Sequence, residues 1–571
     1  MSLFDENSPS DYDAIVVGTG ISGGWAAKEL SEKGLKVLVL ERGRNVVHIN
    51  DYTTANLDPW DLPNNDKPTQ ETLKDYEKQH RTGYVTKPSR VQWFVKDTDH
   101  PYYEKEGTRF DWIRGYHVGG RSLTWGRQSY RLSNLDFEAN LRDGIAVDWP
   151  IRYEDLAPWY SHVEKFAGIS GSKDKLRQLP DGEFLPPMEL TCVEQELKKS
   201  IENAFPERNL IIARTAHIVG DSPFGNRNTC QSRDRCMRGC PFGAYFSSVA
   251  STLPAAEATG NMTLRPHSIV SEVLYDKDKG RATGVRVIDA QTKKDYVFTS
   301  KIIFLNASAI HSTAILMNSK SDRFPEGMGN DSGELGHNIM DHHFRVKAEG
   351  DWDGHKDKYY KGRRPNGFYI PRFRNLDAKT KHPDFIRGYG FQGRATRESW
   401  EMGVAELGIG ADFKNKLMKP GPWKAGMTAF GEILPYHDNE MTLNYDRLDA
   451  WGQPTITFST TIRDNELSMP KDMAETGAEM LEAAGFKNVT TKDEGYGVGL
   501  GIHEMGTARM GRDPKTSVLN KWNQIHAVPN VFVTDGACMT SAACQNPSLT
   551  YMALTARAAN YAVEELNRRN L

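Results

Sequence analysis

Residues 11–43 read DYDAIVVGTGISGGWAAKELSEKGLKVLVLERG, and this stretch decides the fold. The apolar run Ala14 to Val17 predicts a buried parallel strand, Ile21 to Lys33 a helix that Gly34 ends, and Val37 to Leu40 a second strand. A glycine-rich turn set between strand and helix in that order is the βαβ unit that binds a dinucleotide. Gly18 permits the tight turn, Gly20 lets backbone amides reach a pyrophosphate, and Gly23 lets the helix pack closely on the strand. The helix N-terminus then receives the phosphates. Glu41, 18 residues after Gly23 at the end of the second strand, is placed to accept hydrogen bonds from a ribose hydroxyl. The unit does not choose between FAD and NAD; the rest of the chain must.

Outward from this unit, the chain of 571 residues is too long for one ordinary core and predicts two intimately connected domains. Its 72 basic and 75 acidic residues are interspersed, with a formal net charge of -3. No basic stripe is present to hold a phosphate backbone, so nucleic acid is not an expected partner. No stretch approaches the roughly 18 consecutive apolar residues of a membrane-spanning helix, and the mean hydropathy is -0.60, so no direct membrane span is expected. Met1 to Asp13 is acidic and polar, without the charged and apolar regions of a secretory signal, which sets a cytoplasmic location as the expectation. A periplasmic location would require co-export with a signal-bearing partner subunit.

Six cysteines are too few for a disulfide scaffold, and three of them crowd into residues 228–243, NTCQSRDRCMRGCPFG. Cys230, Cys236 and Cys240 have the spacing C-x5-C-x3-C-P, whose latter half matches ferredoxin-type segments in which thiolates converge on a cluster. Three thiolates suit a 3Fe-4S cluster; a four-cysteine cluster would need Cys192, Cys538 or Cys544 to join. Zinc with a histidine as fourth ligand, and buried thiols without metal, stay open.

Two further segments suggest a cofactor cradle. RGYHVGGRSLTWG, residues 114–126, puts Gly115, Gly119 and Gly120 in a loop beside Ser122 and Trp125, where backbone must approach something closely; a plain turn-rich loop is the alternative. NVFVTDGA, residues 530–537, predicts a short buried strand closed by Asp535, and residues 548–566 have the spacing of a long helix. Both chain ends then build one nucleotide site, which suits a large dinucleotide. His503 lies in GIHEMGT, where small neighbours leave room for a ligand. A neutral histidine suits removal of an alcohol proton as the carbon-hydrogen bond breaks. Asn546, before Pro547, can orient that hydroxyl, or else merely begins a turn.

The N-terminal unit, the RGxxxGGxS segment, LGHNIMDH (335–342), HEMGTARMG (503–511) and DGACMTSAACQNPSLT (535–550) together resemble the motifs of the glucose-methanol-choline (GMC) oxidoreductase family, in family order and over essentially the whole chain. The resemblance implies an α/β chain: a Rossmann-like FAD-binding domain from residues 1–50, 86–145, 225–343 and 495–571, with a β-sheet-containing α+β substrate domain from 146–224 and 344–494. Residues 51–85 would form a lid or a partner-contact excursion. Gly18, Gly20, Gly23 and Glu41 would bind the ADP half of FAD; Gly119, Gly120 and Ser122 the pyrophosphate and flavin side; Asp535 the ribityl-pyrophosphate region; and Val270 the adenine through its backbone. His503 would be the base and Asn546 its companion. His342 and His343 read as structural. Thr124 stands where some relatives tether FAD through a histidine, so non-covalent FAD is expected.

A branch of the family, bacterial sugar dehydrogenases with a small accessory subunit and a cytochrome c acceptor, carries a similar cysteine segment. A cluster beside flavin takes electrons singly, which favours a dehydrogenase over an oxidase. Within that branch the GISGGWAAKEL run and the cysteine segment are similar to bacterial glucoside 3-dehydrogenases, which oxidise the C3 hydroxyl of glucosides to 3-keto sugars. Gluconate, fructose or glucose dehydrogenase, a peroxide-producing sugar oxidase, an NAD-dependent dehydrogenase and a non-catalytic protein on an FAD-type fold are the alternatives.

Overall fold

Strand Asp11–Val17, helix Ile21–Glu32 and strand Val37–Leu40 form the opening unit. The two strands pair in parallel, Ala14 opposite Val37 and Val17 opposite Leu40. Ala14, Ile15 and Val16 are fully buried, as a continuous apolar run requires when both sheet faces are covered. The computed structural model describes residues 11–221, 226–358, 367–397, 409–418, 420–495 and 497–571. Residues 1–10, most of the stretch inspected for a secretory signal, lie outside the described residues.

The parallel sheet grows from that pair in both directions. Val37–Leu40 takes Met262–Arg265 on one side; Asp11–Val17 takes Asp295–Leu305 on the other, which in turn takes Val528–Val533. The first and last strands of the sequence therefore lie two places apart in one layer. Strands Ser268–Asp276 and Arg281–Asp289 extend Asp295–Leu305 into an antiparallel arm. Helix Ile21–Glu32 packs against Ser548–Asn567 and is buried throughout Ser22–Ser31. Its buried cation, Lys28, is neutralised by Glu29 at 3.2 Å and Glu32 at 2.7 Å, as a charge removed from water requires.

A second, antiparallel sheet runs in the order Lys487–Asp493, His342–Trp352, Trp423–Glu432, Tyr389–Arg397, Phe368–Ile370, Ile211–Ile212. Val346, Phe391 and Met427 on one face meet Met469, Met473 and Leu481 of helix Asp464–Ala483. Side chains alternate along a strand, so Gln392 turns to the opposite face, towards Asn546. The hairpin Glu440–Leu448 and Pro454–Ser459 leaves this layer and pairs with Tyr103–Glu104. The polar excursion 51–85 touches two places: Ala55 and Leu57 carbonyls accept from Arg233 and Arg238 of the cysteine segment, while Tyr84 lines the main cavity. No helix among the described residues is long and apolar enough to cross a membrane.

Candidate active site

One cavity of about 280 Å³ runs from the first glycine turn to the C-terminal segments. Gly18, Gly20, Glu41, Gly120, Ser122, Val270, His503, Asp535 and Asn546, read separately in sequence, all line it. Gly23 and Gly119 stand behind it.

The glycines divide into those that packing demands and those that it does not. Gly18 has φ +94, and a Cβ there would lie 2.3 Å from the Asn306 carbonyl oxygen; at Gly23 a Cβ would lie 1.9 Å from the Gly18 carbonyl oxygen. Both are required by the protein itself. At Gly20 an added Cβ would meet no protein atom within 4 Å. Gly20 also caps helix Ile21–Glu32 without any side-chain hydrogen bond, which leaves the helix amides open to an anion. The space at Gly20 is a cradle for a ligand, as the dinucleotide reading expects.

Thr19, which sequence reasoning passed over, ties the nucleotide end together. Its hydroxyl donates to Glu41 Oε2 at 2.5 Å and accepts from the Gly119 amide at 2.9 Å. Glu41 Oε1 accepts the Gly43 amide at 2.9 Å, and burial raises its pKa. Ser122 is engaged by its own loop, donating to the Gly119 carbonyl and accepting from the Ser248 amide. Asp535 caps the turn Gly536–Cys538 and accepts from Ser312 at 2.5 Å; burial pushes its carboxyl up to about 6. Asn306 Nδ2 and Tyr551 Oη, buried and on residues that line the cavity, have no hydrogen-bond partner among the described residues. Unmatched polar groups of this kind fit a large polar cofactor.

At the far end His503 is partly open to the cavity. Burial, and to a lesser extent His342 and Arg121, hold its pKa well below the usual histidine range, so the ring is neutral at pH 7. Arg121 clamps both of its neighbours, donating to the Ile502 carbonyl at 3.0 Å and in bidentate fashion to Glu504 at 3.1 and 2.6 Å. Ile502 holds φ +58 and Ala543 φ +60; left-handed backbone at a β-branched residue is rare and costs about 1–3 kcal/mol. Asn546 is fixed by Gln392, whose amide donates to Asn546 Oδ1 at 2.6 Å. Its own NH2 is thereby available to the cavity. His342, expected to be structural, lies against His503, its Nδ1 2.7 Å from His503 Nδ1.

Cys230, Cys236 and Cys240 line a second, smaller cavity of about 30 Å³ together with His217 and Tyr245. Cys236 Sγ is 4.0 Å from His217 Nε2. The amides of Phe242, Ala244 and Tyr245 donate to Cys240, and that of Ser232 to Cys230. Burial nevertheless raises both thiols, Cys230 to about 11. Among the described residues no three metal-binding side chains already stand at ligating distances. The two cavities share a wall: Tyr245 donates to the Leu123 carbonyl at 2.7 Å, and Trp125 Nε1 to the Phe246 carbonyl at 2.9 Å.

Comparison with known proteins agrees with this geometry. Models of the GMC oxidoreductase family match residues 12–344 and 435–555. The chain belongs to the GMC oxidoreductases, and is an FAD-binding enzyme acting on CH-OH groups. It is 28% identical to a 2-methyl-1,2-propanediol dehydrogenase of Mycolicibacterium austroafricanum, over 97% of this chain and 95% of that one. It is 25% identical to the fructose dehydrogenase large subunit of Gluconobacter japonicus, over 98% and 99% of the two chains. The solved structure of an Aspergillus oryzae formate oxidase shares the fold, with a TM-score of 0.62 at 13% identity over 98% of this chain and 100% of that one.

Proposed function

We propose that this protein is a sugar or glycoside dehydrogenase that oxidises a secondary hydroxyl, foremost C3 of glucosides, and passes the electrons out through an iron-sulfur cluster. The observation that carries the reading is the shared wall between the cavity holding His503 and Asn546 and the cavity holding three thiols. Dissociable FAD, with Thr124 at the position where a tether would form, supplies the two-electron acceptor for the hydride. His503 accepts the hydroxyl proton, and Asn546, steadied by Gln392, holds the hydroxyl oxygen by donating to it. Arg121 keeps the base in place through Ile502 and Glu504.

Cys230, Cys236 and Cys240 would hold a 3Fe-4S cluster, which supplies one-electron transfer. The amides aimed at Cys240 and Cys230 suit thiolate sulfur, whose charge such donors stabilise. Support for a glycoside substrate is the sequence resemblance and the sugar-oxidising relative. A small accessory subunit and a cytochrome c acceptor complete the reading.

Anaerobic mixing with methyl glucoside, glucose, fructose and gluconate, following flavin bleaching, tests the substrate; NMR of the product locates the carbonyl. Bleaching by methyl glucoside with a C3 ketone is expected, and bleaching by none of the four sugars would overturn the assignment. Iron analysis with electron spin resonance on anaerobically prepared protein tests the cluster, and absent iron refutes it.

A further inference from the structure

The hydrogen bonds around His342 determine which nitrogen of His503 is free. His342 Nε2 is 2.8 Å from the carbonyl oxygen of Ala543. A carbonyl only accepts, so Nε2 carries a proton. His342 is fully buried and burial depresses its pKa to about 4, so the ring is neutral and its Nδ1 is a bare lone pair. That lone pair faces His503 Nδ1 at 2.7 Å. Two lone pairs do not approach so closely; one of the nitrogens must donate, and only His503 can.

We propose that His342 is a positioning residue that locks His503 as the Nδ1-protonated tautomer, leaving His503 Nε2 as the acceptor for the substrate's hydroxyl proton. This rests on the reading of His503 as the base. In the reaction the O-H bond breaks and its proton forms a bond to His503 Nε2. With FAD bound, the flavin would supply the acceptor for the hydride and its electron pair, while the pair left by the O-H bond closes the carbonyl. The imidazolium formed on His503 donates through Nδ1 to His342, which spreads the charge into a second ring.

The frame around the pair is built for this one arrangement. Asp341, fully buried, accepts the amides of His342 at 2.7 Å, Gly499 and Gly501 at 2.8 Å each, and His503 at 3.0 Å among the described residues. One carboxylate therefore fixes the backbone of both histidines. A Cβ at Gly501 would lie 2.3 Å from Asp341 Oδ1 and 2.4 Å from the His342 carbonyl oxygen, so the knot leaves no room for a side chain there. The chain of donors ends on Ala543, in left-handed backbone three residues before Asn546. Control of the tautomer and placement of the substrate hydroxyl thus share one strut.

The tautomer is read directly from ring 15N shifts of protein labelled in histidine, with the His503 resonances identified by their loss in His503→Ala. Protonated Nδ1 and bare Nε2 are expected for His503; the opposite assignment overturns the proposal without reference to any substrate. Kinetically, His342→Leu should retain FAD yet slow flavin reduction about 10-fold or more, since the base then spends time with Nε2 blocked. His342→Asn, which offers an amide oxygen where Nδ1 stood, should restore reduction to within about threefold. A FAD-loaded His342→Leu enzyme reducing at the parental rate would sink the proposal, and if that variant does not fold the labelled parental enzyme still decides. Undiminished reduction in His503→Ala removes the base itself, whereas an inactive His503→Ala beside an unimpaired His342→Leu removes only the inference about the tautomer.

Discussion

The two neighbouring cavities are built on opposite principles. The large one is preorganised at its His503 end: the Asp341 knot, its glycines and the strained Ile502 and Ala543 set the backbone there before any ligand arrives. The cysteine cavity is the reverse. Burial raises the Cys230 thiol to about 11 and the Cys240 thiol above its ordinary value, and only a ligand that takes thiolates would complete the cavity. Preorganised dipoles stabilise developing charge without rearranging, whereas a metal site can leave its last ordering step to the metal. The proposed base needs the first design, and the proposed electron relay tolerates the second.

The largest effect that separates the two is expected from His503→Ala. Flavin reduction by substrate should slow about 10²-fold or more while FAD stays bound and iron content stays parental; a parental rate in stopped-flow bleaching would break the distinction. Cys240→Ser should do the converse, losing iron and its spin-resonance signal while substrate still bleaches the flavin. Full turnover with a one-electron acceptor in that variant would show that the smaller cavity is not on the electron path.

Thr19→Val probes how far preorganisation extends towards the nucleotide end. It strands the Gly119 amide and removes a donor from Glu41, a loss of about 1–2 kcal/mol that should weaken FAD about 10-fold, measured by fluorescence titration of the apoprotein. The smallest effect concerns buried neutral histidines. Burial depresses His117, His342 and His343 to about 4, against about 6.5 in the unfolded chain. Between those values the unfolded state binds more protons, so the stability they contribute is full above about pH 6.5 and is lost as pH falls towards 4. The urea midpoint should therefore fall between pH 7 and pH 5; an unchanged midpoint would contradict the burial of these rings as neutral groups.

What the sequence discloses follows the range over which each interaction acts. The opening unit is legible because turn, helix and strands are consecutive and each glycine has a local reason. Ser122 lines the cavity, but the sequence does not disclose that its hydroxyl donates to the Gly119 carbonyl and accepts from the Ser248 amide. His342 lies 161 residues from His503, and no periodicity or spacing signals that the strand carrying one meets the loop carrying the other. Gln392 and Asn546, 154 residues apart, are hidden for the same reason. Asp341 was within reach, since an acidic residue beside two histidines in LGHNIMDHH invites a question, but its amide partners come from the tertiary structure.

Strand order has a consequence for biosynthesis. Val528–Val533 inserts beside Asp295–Leu305, which itself lies beside Asp11–Val17, and Asp535 and Asn546 follow directly in the chain. A ribosome that has delivered about the first 500 residues has produced the opening βαβ unit without His503, Asp535 or Asn546. Long-range pairing of this kind closes slowly, so loading of the coenzyme should lag behind translation and be sensitive to its supply.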